Sequence, residues 1–313
     1  MAHDKLDKPE IQTRSGRIRA FWNREDRLAL DDAEYRAFAQ RFLSYLLRAD
    51  IGKGDATNAA LGLFGLPRKV AVIAGQDGVL AGMAEAGFLL QGISAEVMKK
   101  DGDPLADGQT VLELTGPPDL LLSVERSLLN LLQRMSGIAT ETARYAKSAG
   151  TTPIMATRKT HWGSLDKRAV VLGGGLSHRL GLDDGVLIKE NHLRVSGLSA
   201  AQATIAAARE GSTDVEVEVE TEEEALSVAQ AVAEHRGDTH FAMMLDNMDP
   251  ETINSVISML KKKDLLKHIL IEASGGITFD TIPSFAATGV DALSIGAITH
   301  SAPAFDFSLE VIP

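Results

Sequence analysis

The second half of the chain alternates short apolar segments with helical segments, and this alternation limits the fold more than any other feature. Six apolar segments after residue 152 are predicted strands, near 154–156, 186–188, 215–219, 241–245, 269–271 and 292–295. Helices are predicted between them, near 166–172, 199–209, 222–235, 250–262 and 278–288. Strands that alternate with helices form parallel βαβ units. The pattern therefore predicts an α/β barrel or an open doubly wound sheet, and it does not decide between these two folds.

The earlier part of the chain has a less regular pattern. Apolar residues at helical spacing predict a helix over 31–47 and a long helix over 120–146. The segment 50–57 is rich in Gly and Asp and is predicted to be a loop. Short apolar runs at 70–73, 78–83 and 111–115 are predicted strands of a small sheet.

Two predicted helices of the second half begin with the spacing of a capping box. These pairs are Ser199 with Gln202 and Thr221 with Glu224. A third helix is expected to begin at Asp249, which precedes a proline at the first helical position.

Charged or small polar residues follow nearly every predicted strand of the second half. They are Arg158, Lys159, Lys189, Glu190, Asn191, His192, Asp246, Asn247, Glu272, Ser274, Gly275, Gly276 and Gly296. The active site of a parallel α/β fold lies at the carboxyl ends of its strands. We therefore expect these residues to converge on one mouth, although any one of them taken alone fits a solvated loop residue as well.

The predicted strand at 215–219 alternates valine with glutamate. The outer face of a barrel strand packs on helices and must be apolar, so Glu216 and Glu218 are expected to point inward. A buried carboxylate is costly unless it is paired or bound to a metal. The pattern predicts that at least one glutamate meets a cation at the mouth, and the alternative is an edge strand with one wet face.

Anion-binding features occur at the same strand ends. Ser274-Gly275-Gly276 precedes the helix predicted from residue 278, where backbone N–H groups could approach a phosphate. The candidate cations are Arg158, Lys159, His178, Arg179 and Lys189. Arg and Lys together suit carboxylates and phosphates. These features indicate phosphoryl or phosphoribosyl chemistry with magnesium on a small acidic molecule.

Composition excludes several other classes of protein. The net charge of −11 argues against a nucleic-acid or anionic-membrane partner. The chain has no cysteine, which excludes disulfides, thiolate zinc sites and cysteine nucleophiles. Its first residues have no apolar core of a signal peptide, and no segment is apolar enough for a membrane span. We expect a cytoplasmic protein whose first 20 or so residues fray.

The motifs, taken together, resemble those of a known family. They are 50–55 (DIGKGD), 125–130 (ERSLLN), 136–140 (SGIAT), 157–160 (TRKT), 173–182 (GGGLSHRLGL), 187–192 (LIKENH), 215–218 (VEVE), 245–248 (LDNM), 272–277 (EASGGI) and 296–303 (GAITHSAP). In this order they resemble quinolinate phosphoribosyltransferase, also called carboxylating nicotinate-nucleotide pyrophosphorylase. The resemblance runs from about residue 45 to the end of the sequence.

The resemblance implies a fold, an assembly and an activity. The fold is an N-terminal α/β sandwich over 1–125, an irregular α/β barrel of fewer than eight strands over 126–300, and a tail over 301–313 that joins the sandwich. The assembly is a homodimer with shared active sites, sometimes built into a hexamer. The enzyme, a pentosyltransferase, would convert quinolinate and phosphoribosyl pyrophosphate (PRPP) to nicotinate mononucleotide, pyrophosphate and CO2, with Mg²⁺ as cofactor.

The resemblance also implies roles for individual residues. Those expected to bind quinolinate are Arg126, offered across the dimer interface, and Arg158, His178, Arg179 and Lys189. Those expected to hold PRPP are Lys159, Glu218, Asp246, Ser274, Gly275, Gly296 and His300. Lys159, Glu218 and Asp246 are the expected catalytic residues, and Glu218 and Asp246 would hold the metal directly or through water and PRPP.

Some positions depart from the usual pattern of the family. Ala156 stands where Asp is usual, Ser177 where Asn is usual, and Glu190 where Asp is usual; His161-Trp162-Gly163 replaces Thr-Pro-Gly. These changes flank the expected substrate cations. They leave open the alternative that the protein is a related enzyme acting on another small acid such as nicotinate, or a molybdenum-associated paralogue. A phosphate-ligand sensor without catalysis is the alternative of another class.

Overall fold

The structure is a computed structural model that describes residues 13–312. Its α-helices are α1 Arg14–Trp22, α2 Ala33–Ile51, α3 Ala56–Leu61, α4 Met83–Ala86, α5 Pro118–Ala149, α6 Ser164–Leu172, α7 Glu190–Ser196, α8 Ala200–Arg209, α9 Glu222–Glu234, α10 Pro250–Lys262, α11 Ile282–Ala286 and α12 Ala297–His300. Short 3₁₀ helices cover Glu25–Leu28 and Leu266–His268. The strands are β1 Arg68–Ala74, β2 Gly78–Val79, β3 Ser94–Val97, β4 Pro104–Leu105, β5 Thr110–Gly116, β6 Ile154–Met155, β7 Val186–Ile188, β8 Asp214–Val219, β9 His240–Asp246, β10 Leu270–Ser274, β11 Ala292–Ser294 and β12 Phe307–Ile312.

The chain divides into two compact units. The barrel unit contains residues 13–24, 145–159 and 175–297. The sheet unit contains residues 25–144, 160–174 and 298–312.

The barrel unit is built on a six-stranded sheet in the order β6-β11-β10-β9-β8-β7, and all its neighbouring strands are parallel. A single parallel bridge joins Met155 to Leu176 on the other side of β6. This confirms the predicted α/β class and an irregular barrel with fewer than eight strands. Of the two folds that the pattern allowed, the barrel is therefore the one that forms.

All six predicted strands of this unit are present, with ends that differ by a few residues. The predicted helix over 278–288 is wrong in length, because it shrinks to α11. The backbone N–H of Thr278 donates to Oγ1 of Thr281 at 2.9 Å, so a hydrogen-bonded turn precedes the helix. The short helix α7, directly after β7, was not predicted.

Capping chemistry explains where three of these helices begin. Ser199 and Gln202 form the predicted capping box of α8, and Asp249 accepts the backbone N–H of Thr252 at the start of α10. At α9 the cap is shifted: Thr221 accepts from the N–H of Glu224, but the Glu224 carboxylate accepts from Glu220 rather than from Thr221. The predicted box at Thr221 is therefore only half correct.

Strand β8 has the alternation that its sequence predicted. Its three valines are buried, and Glu216 on the opposite face is also buried, with 2% of its surface exposed. Because β8 pairs with β7 on one side and β9 on the other, it is an interior strand, and the wet-edge alternative is wrong. Both glutamates point into the barrel, as expected.

The helix α1 covers the amino ends of the barrel strands. Its Phe21 and Trp22 are buried in one apolar cluster with Met155, Leu176, Ala242, Leu270 and Ala292. Thr13 caps the helix by accepting the N–H of Gly16 at 3.0 Å. The expected fraying of the first 20 or so residues is therefore wrong for 14–20, while residues 1–12 lie outside the described part of the chain.

The sheet unit contains an antiparallel sheet in the order β12-β1-β5-β3. Strand β12, from the end of the chain, pairs with β1 over six residue pairs. The long helix α5 packs apolar residues into this unit, with Leu128, Leu131 and Leu132 fully buried. The helix α3 occupies part of the segment predicted as a loop over 50–57.

The predicted domain limits of 1–125, 126–300 and 301–313 differ from these compact units. The limit at 125 falls inside α5, and the units exchange the segments 145–159 and 160–174. The compact units are defined by contacts in space, whereas the predicted domain limits come from the order of family motifs along the chain. The predicted limits therefore stay a prediction. Within residues 13–312, no helix combines the length and the apolar character needed to cross a membrane.

Candidate active site

A cavity of about 470 Å³ opens at the carboxyl ends of the barrel strands. Its lining residues are Thr157, Arg158, Lys159, His178, Arg179, Leu187, Lys189, Glu218, Met244, Asp246, Asn247, Ser274, Gly275, Gly276 and Ser294. All of them belong to the barrel unit. Nine of the twelve residues expected in the site therefore line one cavity, at the edge of the sheet where parallel strands place their functional side chains.

Arg179 is a buried cation in the cavity wall. Its Nη1 donates to the backbone carbonyl of Gly185 at 3.2 Å, while its buried Nε has no acceptor among residues 13–312. Burial and, next, the positive charge of Arg158 lower the pKa of Arg179. Two guanidinium groups close enough to repel each other, one with an unused donor, are suited to bind an anion.

The inward glutamate at the mouth meets a cation, as the sequence predicted. Nζ of Lys189, directly after β7, forms an ion pair with Oε1 of Glu218. Asp246, at the end of β9, accepts a hydrogen bond at 2.7 Å from the side chain of Asn247. Both carboxylates therefore face the cavity and are held by residues of its own wall.

His178 lies at the bottom of the cavity and is fixed on both sides of its ring. Nε2 lies 3.2 Å from Oε2 of Glu216 and 3.3 Å from Oε2 of Glu272, and Nδ1 accepts the backbone N–H of Arg179 at 2.7 Å. His178 also has a left-handed backbone, with φ of 54°. Both ring nitrogens have partners within the chain, so the position of the His178 ring in the cavity wall is fixed. Through its bond to the backbone N–H, the ring orients the next residue, Arg179.

The charges around His178 change the acidity of this buried group. Burial alone would lower the pKa of His178, but the charges of Glu272 and Glu216 outweigh it and raise that pKa to about 9. Burial, followed by the charge of Glu216, raises the pKa of Glu272 to about 8. Because Nδ1 accepts the backbone N–H of Arg179, this geometry holds the neutral ring with its proton on Nε2, and a second proton on Nδ1 would have to break that hydrogen bond.

The turn after β10 brings backbone close to the cavity. Gly275 has φ of +93°, and a Cβ there would lie 2.2 Å from Oδ1 of Asn247 and 2.9 Å from its backbone N. Only glycine fits this position without displacing Asn247. The expectation of a helix start beside this turn is wrong, because α11 begins only at Ile282.

Three residues with expected roles lie outside the cavity lining, and so do four of the residues expected at the strand ends: Glu190, Asn191, His192 and Glu272. Arg126 is exposed on α5, and His300 is exposed at the end of α12, where its Nδ1 lies 2.6 Å from Oγ of Ser301; both belong to the sheet unit. Gly296 follows β11 in the barrel unit.

Four further polar groups of the site had no role assigned to them from the sequence. Ser294 closes β11, lines the cavity and has a buried hydroxyl without a hydrogen-bond partner among the described residues. Thr157 lines it beside Arg158, and its Oγ1 accepts the N–H of Lys159 at 3.1 Å. Glu216 and Glu272 hold His178. The position after a predicted strand indicates Thr157 and had already indicated Glu272, and the valine alternation had turned Glu216 inward. Ser294 lay inside the predicted strand 292–295, so its place at the strand end could not be read from that prediction.

The departures from the family pattern fall mainly on internal contacts. In the sheet unit Trp162 packs edge-on against Phe42, with ring centroids 5.6 Å apart, and the backbone N–H of His161 donates to Asp166 at 2.8 Å. In the barrel unit Ala156 is fully buried, and Ser177 accepts the backbone N–H of Arg24 at 2.8 Å. None of these four residues is among the described residues that line the cavity.

The donor set at the mouth fits a magnesium ion. Magnesium prefers oxygen ligands, commonly one or two carboxylates together with substrate phosphates. Glu218 and Asp246 supply two such carboxylates to one cavity, next to the cations that would meet the phosphates. In the described part of the chain, His178, Glu216 and Glu272 are the group of three whose ligand atoms lie within 4.8 Å of one another, but that group is buried below the cavity.

The fold and the cavity define a class of protein: an α/β barrel in which cations and carboxylates face one cavity at the carboxyl ends of the strands. Comparison with known proteins gives the family. The model of the quinolinate phosphoribosyl transferase C-terminal domain matches residues 138–310, and that of the N-terminal domain matches 55–136. The chain belongs to the quinolinate phosphoribosyl transferase family.

Curated relatives and solved structures agree with this assignment. The chain is 39% identical over 275 residues to a probable carboxylating nicotinate-nucleotide pyrophosphorylase of Methanothermobacter thermautotrophicus, covering 85% of this chain and 96% of that protein. It is 38% identical to the corresponding protein of Bacillus subtilis, covering 87% and 93%. The structure of nicotinate-nucleotide pyrophosphorylase from Francisella tularensis matches with a TM-score of 0.78 and 30% identity, over 88% of this chain and 96% of that one.

Proposed function

We propose that this protein transfers the phosphoribosyl group of PRPP to quinolinate and removes one carboxylate, which yields nicotinate mononucleotide, pyrophosphate and CO2 for NAD biosynthesis. One observation carries the proposal: a cavity at the barrel mouth combines a buried arginine that has an unused donor with two inward carboxylates. Relatives named as carboxylating pyrophosphorylases cover most of this chain.

Quinolinate carries two carboxylates on a pyridine ring, and the cavity offers several cations for them. Arg158, Arg179 and Lys189 would clamp the carboxylates, His178 would form the wall beneath them, and Arg126 of a second copy would complete the clamp. Binding energy gained at the carboxylates orients the ring nitrogen toward C1 of the ribose.

The other side of the cavity suits PRPP. Lys159, Glu218, Asp246, Ser274 and Gly275 would hold it, with Gly296 and His300 as further contacts. Magnesium, held by Glu218 and Asp246 directly or through water and PRPP, would supply positive charge beside the pyrophosphate. Lys159 would neutralise the pyrophosphate as the C1–oxygen bond breaks, and the carboxylates of Glu218 and Asp246 would stabilise positive charge on the ribose.

Transfer precedes decarboxylation in this proposal. Once the ring nitrogen has bonded to C1, the positively charged pyridinium can stabilise a carbanion at the adjacent carbon. The carboxylate on that carbon then leaves as CO2, its bonding electrons remain on the ring, and a proton replaces it. Free nicotinate formed without PRPP would contradict this order.

The proposed assembly is a homodimer with shared active sites, with a hexamer as a further level, in the cytoplasm. The exposed side chain of Arg126 on α5 supports a role outside its own subunit.

The sequence also left open a nicotinate-using enzyme and a molybdenum-associated paralogue. Ala156 is buried, Trp162 packs on Phe42, and neither lines the cavity, which supports quinolinate over those alternatives.

The test is a paired assay of the purified protein with PRPP and magnesium, offering quinolinate or nicotinate and following nucleotide and CO2. We expect nicotinate mononucleotide with one CO2 per nucleotide from quinolinate, and no product from nicotinate. Turnover of nicotinate would mean that the protein has the activity of a paralogous enzyme instead. Binding of both substrates without turnover would instead indicate a sensor.

A further inference from the structure

The residues before the first family match make hydrogen bonds and ion pairs to the barrel. The family models begin at residue 55, yet residues 14–24, here called the N-terminal segment, belong to the barrel unit and contact its active-site loop. That loop, residues 177–185, carries His178 and Arg179. We propose that the N-terminal segment positions Arg179 and His178 for the pyridine dicarboxylate, with Arg24 and Trp22 as positioning residues; this inference rests on the proposed function.

Arg24 holds the loop at both of its ends. Its backbone N–H donates to Oγ of Ser177 at 2.8 Å, immediately before His178. Its Nε donates to Oδ1 of Asp184 at 2.9 Å, and Oδ2 of the same carboxylate accepts the backbone N–H of Leu180 at 2.7 Å. One arginine therefore fixes the chain on both sides of Arg179.

Arg24 is itself held rigidly. It is 9% exposed, and Nη1 donates to the carbonyls of Ala20 and Phe21 at 3.2 and 3.0 Å, so it also caps the end of α1. Its Nη2 lies 3.6 Å from the carboxylate of Asp214, the first residue of β8. Because Arg24 is buried and bonded to several fixed partners, its side chain is held in one orientation. The loop residues that bind to Arg24 are held in place with it.

Trp22 reaches the same site from below through a chain of hydrogen-bonded groups. Its Nε1 donates to Oε1 of Glu216 at 3.3 Å. The other oxygen of Glu216 meets Nε2 of His178 at 3.2 Å, and Nδ1 of His178 accepts the N–H of Arg179 at 2.7 Å. Trp22 is 1% exposed, so no water competes with this contact.

The position of Ser177 fits this role. It is the residue at which the family usually has the larger Asn, and here its hydroxyl is the acceptor for Arg24 and a donor to the carbonyl of Trp22 at 3.4 Å. The departure from the family pattern thus lies at the contact with the segment that precedes the family match.

The opposite end of the segment offers a matched control. Nε and Nη2 of Arg14 bind the carboxylate of Asp291 at 2.5 and 2.6 Å, and its Nη1 donates to the carbonyl of Leu266. These contacts anchor α1 to the starts of β10 and β11, on the side of the barrel away from β7. Arg14→Met therefore loosens the anchor without removing a contact to the loop.

The experiment measures equilibrium dissociation constants of quinolinate and of PRPP, separately, together with the thermal midpoint, for the full chain and its variants. Arg24→Gln removes the ion pair, and Arg24→Lys restores the charge. Trp22→Phe removes only the Nε1–H donor and keeps most of the buried ring. Steady-state kcat and KM for both substrates are measured on the same samples.

We expect Arg24→Gln to weaken quinolinate binding about threefold to thirtyfold, the range for residues that act without touching the ligand. Arg24→Lys should recover part of this loss, and Trp22→Phe should weaken quinolinate binding about threefold. PRPP binding should stay unchanged in all three variants. Arg14→Met should lower the thermal midpoint and leave both dissociation constants unchanged.

Equal weakening of both substrates, or no change in quinolinate binding, would overturn the inference and leave the segment a purely structural cover. The same holds if Arg14→Met weakens quinolinate binding as much as Arg24→Gln. If Arg24→Gln does not fold, Trp22→Phe decides by the same criteria. An unmodified chain that fails to bind quinolinate would instead refute the proposed function, and the inference with it.

Discussion

The two ends of the barrel strands use the same charged residue types in opposite ways. At the amino ends, Arg14 and Arg24 each face buried carboxylates of the chain, at 2.5 Å from Asp291 and 2.9 Å from Asp184. At the carboxyl ends, Arg179 keeps a buried donor without an acceptor among the described residues. A charge that is satisfied within the chain stabilises the fold, whereas an unsatisfied one is available to a ligand. For the arginines, pairing rather than residue type therefore separates the two ends, whereas Lys189 at the mouth is paired with Glu218.

The largest expected effect is at the carboxyl ends of the strands, where Arg179 has a donor without an acceptor. Arg179→Ala should weaken quinolinate binding by about 2–5 kcal/mol, which is typical when one partner of a desolvated charge-assisted contact is lost. The unfolding midpoint should hardly change, because the arginine has few internal partners. Calorimetric titration with quinolinate and a denaturant titration measure the two quantities. Quinolinate affinity equal to that of the parent would remove Arg179 from the site.

Glu218→Ala tests the carboxylates of the same mouth. Turnover should fall by about two orders of magnitude, since a preorganised charge at the reacting centre is lost. Quinolinate affinity should change less, although Lys189 loses its ion-pair partner. Rapid-quench measurement of a single turnover isolates this step. A single-turnover rate like that of the parent would reduce Glu218 to a solvated strand residue.

Asp291→Ala tests the amino ends of the strands, where the arginines are paired. It should lower stability and leave substrate affinity unchanged, the reverse of Arg179→Ala. The carboxylate accepts from Arg14 and from the backbone N–H of Ile271 at 2.7 Å, so its loss leaves buried donors unpaired. We expect a stability loss of about 2 kcal/mol in urea unfolding with unchanged substrate affinities. If substrate affinity falls while stability holds, the contrast between the two ends is wrong.

The smallest effect concerns the buried acids between the two ends. The folded-state pKa of Glu272 is raised to about 8, above its ordinary value of 4.5, so the folded protein binds the proton more tightly than the unfolded chain does. Its contribution is fully present below about pH 4.5 and is lost as the pH rises toward 8.

Glu272→Gln imitates the protonated acid at every pH. The variant should therefore lose less stability than the parent between pH 5 and 8, by the reasoning of proton linkage. Thermal midpoints measured across this range in low-salt buffers test the prediction. Parallel pH profiles for the two proteins would mean that Glu272 is ionised throughout.

Much of the barrel could be predicted from the sequence, because strand and helix periods are local properties. The strands β7, β8 and β9 were found within a residue or two, and the inward direction of Glu218 followed from the valine alternation. The helix α1 could not be found this way, since only Phe21 and Trp22 of its residues are buried and their partners lie on four distant strands. Strands β3 and β12 were missed for a related reason, because both are mostly exposed and depend on pairing with β5 and β1.

The site was predictable where it depended on position along a strand and unpredictable where it depended on pairing. The cations and carboxylates after the strands were found from that position alone. The arrangement of His178 between Glu216 and Glu272 joins the loop that follows Leu176 to β8 and β10, and no local pattern carries such a contact. The turn at Gly275 and Asn247 likewise depends on one backbone passing close to another.

The pairing of β12 with β1 has a consequence for how the protein is made. Strand β1 leaves the ribosome long before residues 307–312, so one edge of the four-stranded sheet has unpaired N–H and C=O groups during most of synthesis. An open edge of this kind is a place where nascent chains associate wrongly. Shortening the last strand would therefore reduce the yield of correctly assembled protein through the sheet unit, even though every residue that lines the cavity remained in place.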